Sequence, residues 1–365
     1  MRALVVSDLH LGGATGADVL RHDGVPRARL LEALDGVDVL VLLGDTLELR
    51  HGPARRALAA AAPGLQAIGD ALAPGAEVVL VAGNHDHALV GPWLDHTTRP
   101  LGLETRVRPT TASPLGRRMA DLLGAQRTSV AYPGVWLRDD VYAVHGHYLD
   151  VHGTVPTFER IAAGVMLRLG AALPEGPCVA EDYERALAPL YAWMHSAAQR
   201  APEGRMAAGS GRAARTYEML QGDGHRPVRS RLLAAAFPLG VKGLSRLVGP
   251  LQSDLRGHAL RRNGIVAHGE ALRRLGVDAA HVVYGHTHRT GPLPGDDHGE
   301  WVAPLGSRLH NCGSWVYETH FLSGSEGSSP YWPGGAVVVE GDADPRVVRL
   351  LENVPAAALR APDPA

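Results

Sequence analysis

Five apolar runs, at residues 3–6, 37–43, 77–82, 141–144 and 280–284, each stop at a cluster of residues that can hold a cation. The runs are rich in Val and Leu and almost uninterrupted, the pattern of strands buried on both faces of a parallel sheet. Stretches with helical character separate them, with candidate helices at 28–34 and at the Ala-rich 53–72. Strands alternating with helices predict a layered α/β architecture.

Residues 150–275 read differently. Strand-like runs disappear, and Phe158, Ile161, Val165 and Leu169 recur at helical spacing, which predicts one apolar helix face. A glycine-rich break at 204–211 follows, and then an apolar but broken stretch at 232–251 interrupted by Pro238, Gly240, Lys242 and Arg246. The expected organisation is a core in two parts, 1–149 and 276–354, around a mainly helical insertion at 150–275. An Ala- and Pro-rich tail, 355–365, is expected to be flexible. The insertion carries 17 Arg and Lys against 11 Asp and Glu, whereas the whole chain has a net charge of only −2. A positive insertion over an acidic core suits a lid that contacts phosphate.

The chemistry lies where the runs end. Ligands in open α/β folds gather at the carboxyl ends of the strands. Asp8 and His10, two residues apart on an extended chain, face the same side. Gly44 lets the backbone turn away, and Asp45 is the candidate ligand shared by two cations. Asn84 offers a neutral carbonyl oxygen, and His85 beside Asp86 reads as an imidazole oriented by a carboxylate, an acid–base pair. His145, at the end of its strand, is the candidate ligand of the fourth cluster. His147 is placed outside it or against substrate, with the reverse assignment open. His286 and His288 can give one imidazole each to two adjacent cations.

Taken together, Asp8-Leu9-His10, Gly44-Asp45-Thr46-Leu47-Glu48, Gly83-Asn84-His85-Asp86, His145 and Gly285-His286-Thr287-His288 resemble the motifs of the calcineurin-like metallophosphoesterase superfamily. Asn311-Cys312-Gly313-Ser314 resembles that family's Asn-x-Gly-Ser turn. The resemblance implies a layered β-sandwich flanked by helices. It also implies one cation on Asp8, His10, Asp45 and His288, and a second on Asp45, Asn84, His145 and His286. His85 matches the family's proton donor, with Asp86 as its partner. Glu48 stands where the family commonly has Asp, as in the branch resembling UDP-diacylglucosamine hydrolases, but that branch carries Arg in place of His85. Glu48 and His147 are therefore read as outer ligands or substrate contacts.

The activity implied is hydrolysis of a phosphoester, phosphodiester or pyrophosphate, by in-line attack of a hydroxide held between two divalent cations. Mixed Asp, Asn and His ligation suits Mn²⁺ first, with Fe, Zn or Co compatible. A nuclease of the same superfamily and a non-catalytic metal-binding scaffold are the alternatives. The near-neutral charge argues against a nucleic-acid partner, and the resemblance implies a small or lipid-linked phosphorylated substrate. Two cysteines, Cys178 and Cys312, are too few for a disulfide framework. No basic leader and no long apolar span is evident, so a cytoplasmic protein is expected, with peripheral contact to the inner face of a membrane allowed.

Overall fold

The computed structural model describes residues 1–125, 127–170, 172–201, 242–252, 254, 257–322 and 324–360. The apolar runs become strands β1 (Arg2–Val6), β2 (Val39–Leu43) and β3 (Glu77–Val81), each buried from its second residue onward. The first half of β5 (Arg127–Arg138) lies parallel to β3, and the short β4 (Glu104–Val107) pairs with it antiparallel. Its second half pairs antiparallel with β6 (Val141–Val144), which lies parallel to β7 (His281–Tyr284). Next come β9 (Arg308–Cys312), parallel to β7, and the two-residue β8 (Thr290–Gly291) on its edge. At the far edge, β10 (Gly335–Glu340) runs antiparallel to β1 and pairs with β11 (Arg346–Arg349).

Because β5 serves both halves, the continuous ladder folds over on itself as two stacked layers. Alternate residues show the stacking. Val5, Val41, Val79, Val81 and Val337 meet Val135, Ala143 and Val283 in one cluster between the layers. Their neighbours Leu4, Val6, Leu40, Leu42, Val78 and Leu80 point the other way, onto helices. On the opposite outer face, Tyr142, Val144, Val282 and Tyr284 meet Ile265 and Leu272 of the Gly257–Leu275 helix. The order is helix, sheet, sheet, helix, as the α/β sandwich reading requires.

The candidate helices form as Val25–Ala33 and Ala54–Ala71. The described part of 150–275 is helical, including Phe158–Arg168 and Ala180–Gln199. It contributes Ala163, Tyr183, Ala186, Leu187 and Tyr191 to the main core. One expectation changes here. Phe158, Val165 and Leu169 are 46%, 43% and 77% exposed, and the helix instead buries Arg160, Ala163 and Gly164. The reason is close packing, since a Cβ on Gly164 would overlap the Val248 carbonyl. In the tail, Ala356–Leu359 form a helical turn with both ends buried. Residues 361–365, the 204–211 break and 232–241 lie outside the described residues.

Candidate metal centre

All five motifs meet at one end of the sandwich. Asp8 and His10 follow β1, Asp45 follows β2, Asn84 follows β3, His145 follows β6, and His286 and His288 follow β7. The loops are pinned to one another. The Asp8 and His10 amides donate to Gly44 and Asp45 carbonyls at 3.1 and 2.8 Å. The His286 amide donates to Asp8 Oδ2 at 2.8 Å, which ties the two sheet layers together at the site. Among the described residues, the non-glycine positions with positive φ are Asp8, His10, Asp45, His286 and His288. Left-handed backbone is rare outside glycine and gathers at functional sites.

The side chains form two groups joined by Asp45. In one, Asp8 Oδ1 lies 3.2 Å from His288 Nε2 and 3.7 Å from His10 Nε2, and the two imidazole nitrogens are 3.1 Å apart. In the other, His145 Nε2 and His286 Nδ1 lie 3.2 and 3.1 Å from Asn84 Oδ1. Asp45 Oδ2 faces both, 3.8 Å from His10 Nε2 and 3.4 Å from His145 Nε2. Its Oδ1 is engaged by the His85 amide at 2.7 Å, so one oxygen rather than two serves the shared position.

The donor set fits cations. Asp8 Oδ1 is buried without a hydrogen-bond partner. His145 Nδ1 donates to the Leu43 carbonyl at 2.9 Å, which leaves the Nε2 lone pair turned into the site. The Asn84 oxygen there meets only other acceptors, an arrangement that a positive ion satisfies. Turned over, the same amide would donate to His145, Asp45 and His286 at 3.1–3.2 Å and would not need one, so the inward oxygen is the orientation a cation selects. Neutral imidazole, carboxylate and amide oxygen with no thiolate suit a transition metal.

Electrostatics agree. Burial disfavours a charged His145, but Asp45 and Asp8 more than offset this and raise its pKa to about 9. Burial likewise opposes ionisation of Asp45, yet His145 and His85 beside it hold its carboxyl well below the usual range. The pocket is built to keep positive charge.

The acid–base pair differs from the expectation. His85 Nδ1 contacts Glu48 Oε2 at 2.7 Å, and Glu48 also reaches His10 Nδ1 at 3.1 Å. Asp86 turns away from His85 and accepts from the amides of Gly83, Thr46, Asp45 and Leu47 at 2.7–3.3 Å. Neighbours in sequence point apart here because the loop needs a buried acceptor for its own amides. Asp86 thus braces the second and third motif loops, while Glu48 is the oriented carboxylate. Burial and the nearby Arg50 lower the His85 pKa. Burial and the Asp45 charge raise that of Asp86 to about 6.

His145, not His147, faces the cluster. His147 is buried behind it, with Nε2 at 3.3 Å from the Tyr132 hydroxyl, and burial next to His145 lowers its pKa well below the usual value.

Three contacts were not read from the sequence. Asp150 Oδ1 accepts from His286 Nε2 at 3.0 Å and so leaves Nδ1 for a cation. Arg50 donates to the Asn84 carbonyl at 3.0 Å and to Glu159 at 2.7 Å, bringing the Phe158–Arg168 helix to the site. Glu184, from the Ala180–Gln199 helix, gathers His87, Tyr132 and Tyr148 within 2.5–2.9 Å. The buried partners of Glu184 were findable only as polar residues in apolar surroundings. The Asn311 side chain donates to Thr287 Oγ1 at 2.8 Å, so the Asn-x-Gly-Ser turn supports the last motif from below.

Two facing sheets whose strand ends converge on paired cation positions define a metal-dependent phosphoester hydrolase. The profile of the calcineurin-like phosphoesterase family matches residues 1–290, and the chain belongs to that family. No curated protein matches it in sequence. Among solved structures, a dimetal phosphatase from Danio rerio is similar at 13% identity, covering 96% of this chain and 99% of that one, with a TM-score of 0.34. Among the described residues, no helix is long and apolar enough to cross a membrane.

Proposed function

We propose that the protein cleaves a phosphoester, phosphodiester or pyrophosphate bond by in-line displacement, with His85 as the proton donor. The observation that carries this reading is the His85–Glu48 contact of 2.7 Å beside Asp45, which sets the ring at the edge of the cation cluster. When bound, two divalent cations, Mn²⁺ by preference, lower the pKa of a water and offset charge on the phosphoryl oxygens.

The chain's own part follows from its geometry. Glu48 accepts the Nδ1 proton of His85 and holds the ring so that Nε2 presents its proton outward. That proton passes to the departing oxygen as the bond to phosphorus breaks. The Asp45 Oδ1 contact with the His85 amide fixes the donor relative to the shared ligand. The family's substrates are phosphorylated, and the core's Arg50, held at the site by Glu159 of the insertion, is a cation suited to a small or lipid-linked phosphoester.

The test is turnover of Mn²⁺-loaded protein on paired aryl phosphomonoester and phosphodiester substrates, with His85→Ala alongside. Loss of a donor of this kind lowers kcat by about 10²–10⁴-fold. Cation content of the variant should match wild type. Equal turnover by wild type and variant on a poor leaving group would remove His85 from the mechanism.

A further inference from the structure

Beside the cluster lies a cavity of about 450 Å³ lined by Gly13, Arg21, Glu48, His51 and Arg56, among others. Its wall is the same Glu48 that orients His85. His51 Nε2 stands 3.8 Å from Glu48 Oε2, while its buried Nδ1 has no partner.

The lining is cationic. Glu48 is the one acidic group, and it is already engaged by His10 and His85. Arg21 is held by Asp18 at 3.0 Å and by the Gly13 carbonyl, which fixes the glycine loop as one side of the cavity. Arg56, in the first turn of the Ala54–Ala71 helix, has no side-chain partner among the described residues. An exposed arginine and an imidazole on the wall of one cavity are groups suited to a phosphate.

We propose that this cavity receives the leaving group, and that it selects leaving groups carrying a second phosphate. The inference rests on the hydrolase reading above. In that reaction the water oxygen bonds to phosphorus and the bridging phosphorus–oxygen bond breaks. Its electron pair stays on the leaving oxygen, which takes the proton from His85. The proton donor faces the departing oxygen, and the cavity shares the donor's Glu48 wall. The remainder of the leaving group therefore lies against His51 and Arg56. The second phosphate is attached either through carbon or through an anhydride.

The experiment uses Mn²⁺-loaded full-length protein on three probes: 2-hydroxyethyl phosphate, ethylene glycol bisphosphate and inorganic diphosphate. The first two differ only by the second phosphate, and the third supplies it as an anhydride. A charge-assisted contact predicts kcat/KM about tenfold higher for the bisphosphate than for 2-hydroxyethyl phosphate, carried by KM. Arg56→Ala should remove that preference, losing about tenfold more on the bisphosphate than on the monophosphate, and Arg56→Lys should restore part of it. His51→Ala, which leaves the helix surface untouched, should shift KM in the same direction. Preference for diphosphate over the bisphosphate assigns an anhydride, and the reverse assigns a carbon-linked phosphate. Equal kcat/KM for mono- and bisphosphate, or equal losses on both in Arg56→Ala, overturns the proposal. Zero turnover of all three probes while the aryl esters are still cleaved overturns the proposal, and zero turnover of the aryl esters as well, with both cations bound, overturns the hydrolase reading on which it rests.

Discussion

Each residue held in left-handed backbone costs on the order of 1–3 kcal/mol, and Asp8, His10, Asp45, His286 and His288 all adopt it. That strain turns their side chains inward from the ends of β1, β2 and β7. The ligands were legible because their residue types and spacing carry the chemistry themselves. The direction of a loop side chain was not, and so Asp86 was assigned the role that Glu48 fills. Glu48→Gln should lower kcat by about 10²–10⁴-fold even at saturating Mn²⁺, like loss of the donor it orients, and should also weaken the cation on His10, whose Nδ1 it contacts at 3.1 Å. Asp86→Asn, by contrast, should act through loop stability. Thermal unfolding measured beside kcat separates the two. Asp150 follows His147 by three residues but acts through His286, from a distant strand, so pattern alone could not find it. Asp150→Asn should weaken the second cation by about 10–100-fold, the usual effect of losing an outer carboxylate on a ligating imidazole. Titration calorimetry with Mn²⁺ reads this directly, and an unchanged second binding constant would refute it.

At the scale of the element, glycines decide how closely the motif loops approach. A Cβ on Gly83 would overlap the Asp45 carboxylate and meet His145 Nε2 at 2.7 Å. One on Gly285 would overlap Ser7 and Asp8. These glycines belong to the motifs because only a bare backbone lets ligands on adjacent strands converge, not only because they end strands. Gly83→Ala should therefore lose the second cation and about 1–3 kcal/mol of stability. Metal analysis with a denaturation curve checks both, and a variant holding two cations would contradict it. The five strands with a continuous apolar run buried on both faces were read nearly to the residue, whereas β4, β8, β9, β10, β11 and the β5 that links the two layers were not. The Phe158–Arg168 helix was misread on its face. Its small residues Ala163 and Gly164, not its larger ones, make the contact with the segment ending at Val248. Periodicity reports apolar spacing, while close helix packing depends on small size.

For the whole molecule, stability in acid follows from buried imidazoles that are not candidate cation ligands. Burial lowers His268 to about 3, His310 to about 4 and His152 to about 4. Above about pH 6.5, the unfolded value, these rings are neutral in both states and contribute no pH dependence. Below it the unfolded chain takes up protons that the folded one refuses, so stability falls until the folded pKa values are passed. His268 stacks on Tyr284 with both ring nitrogens unpartnered. His268→Phe should flatten the fall in Tm between pH 6.5 and 4, read by calorimetry. A slope as steep as wild type would clear this ring of responsibility.

The order of the ligands along the chain has one more consequence. His286 and His288 arrive only after the helices of 150–275, from a strand that lies between β6 and β9. A nascent chain that has emerged through Asp150 already holds Asp8, His10, Asp45, Asn84 and His145, but neither cation position is closed. Full cation capture therefore coincides with the entry of β7 into its sheet. Metal loading is then expected to act as a completion signal: a chain truncated after Asp150 should bind Mn²⁺ more loosely than the full chain, and equal affinity in a metal titration would refute it.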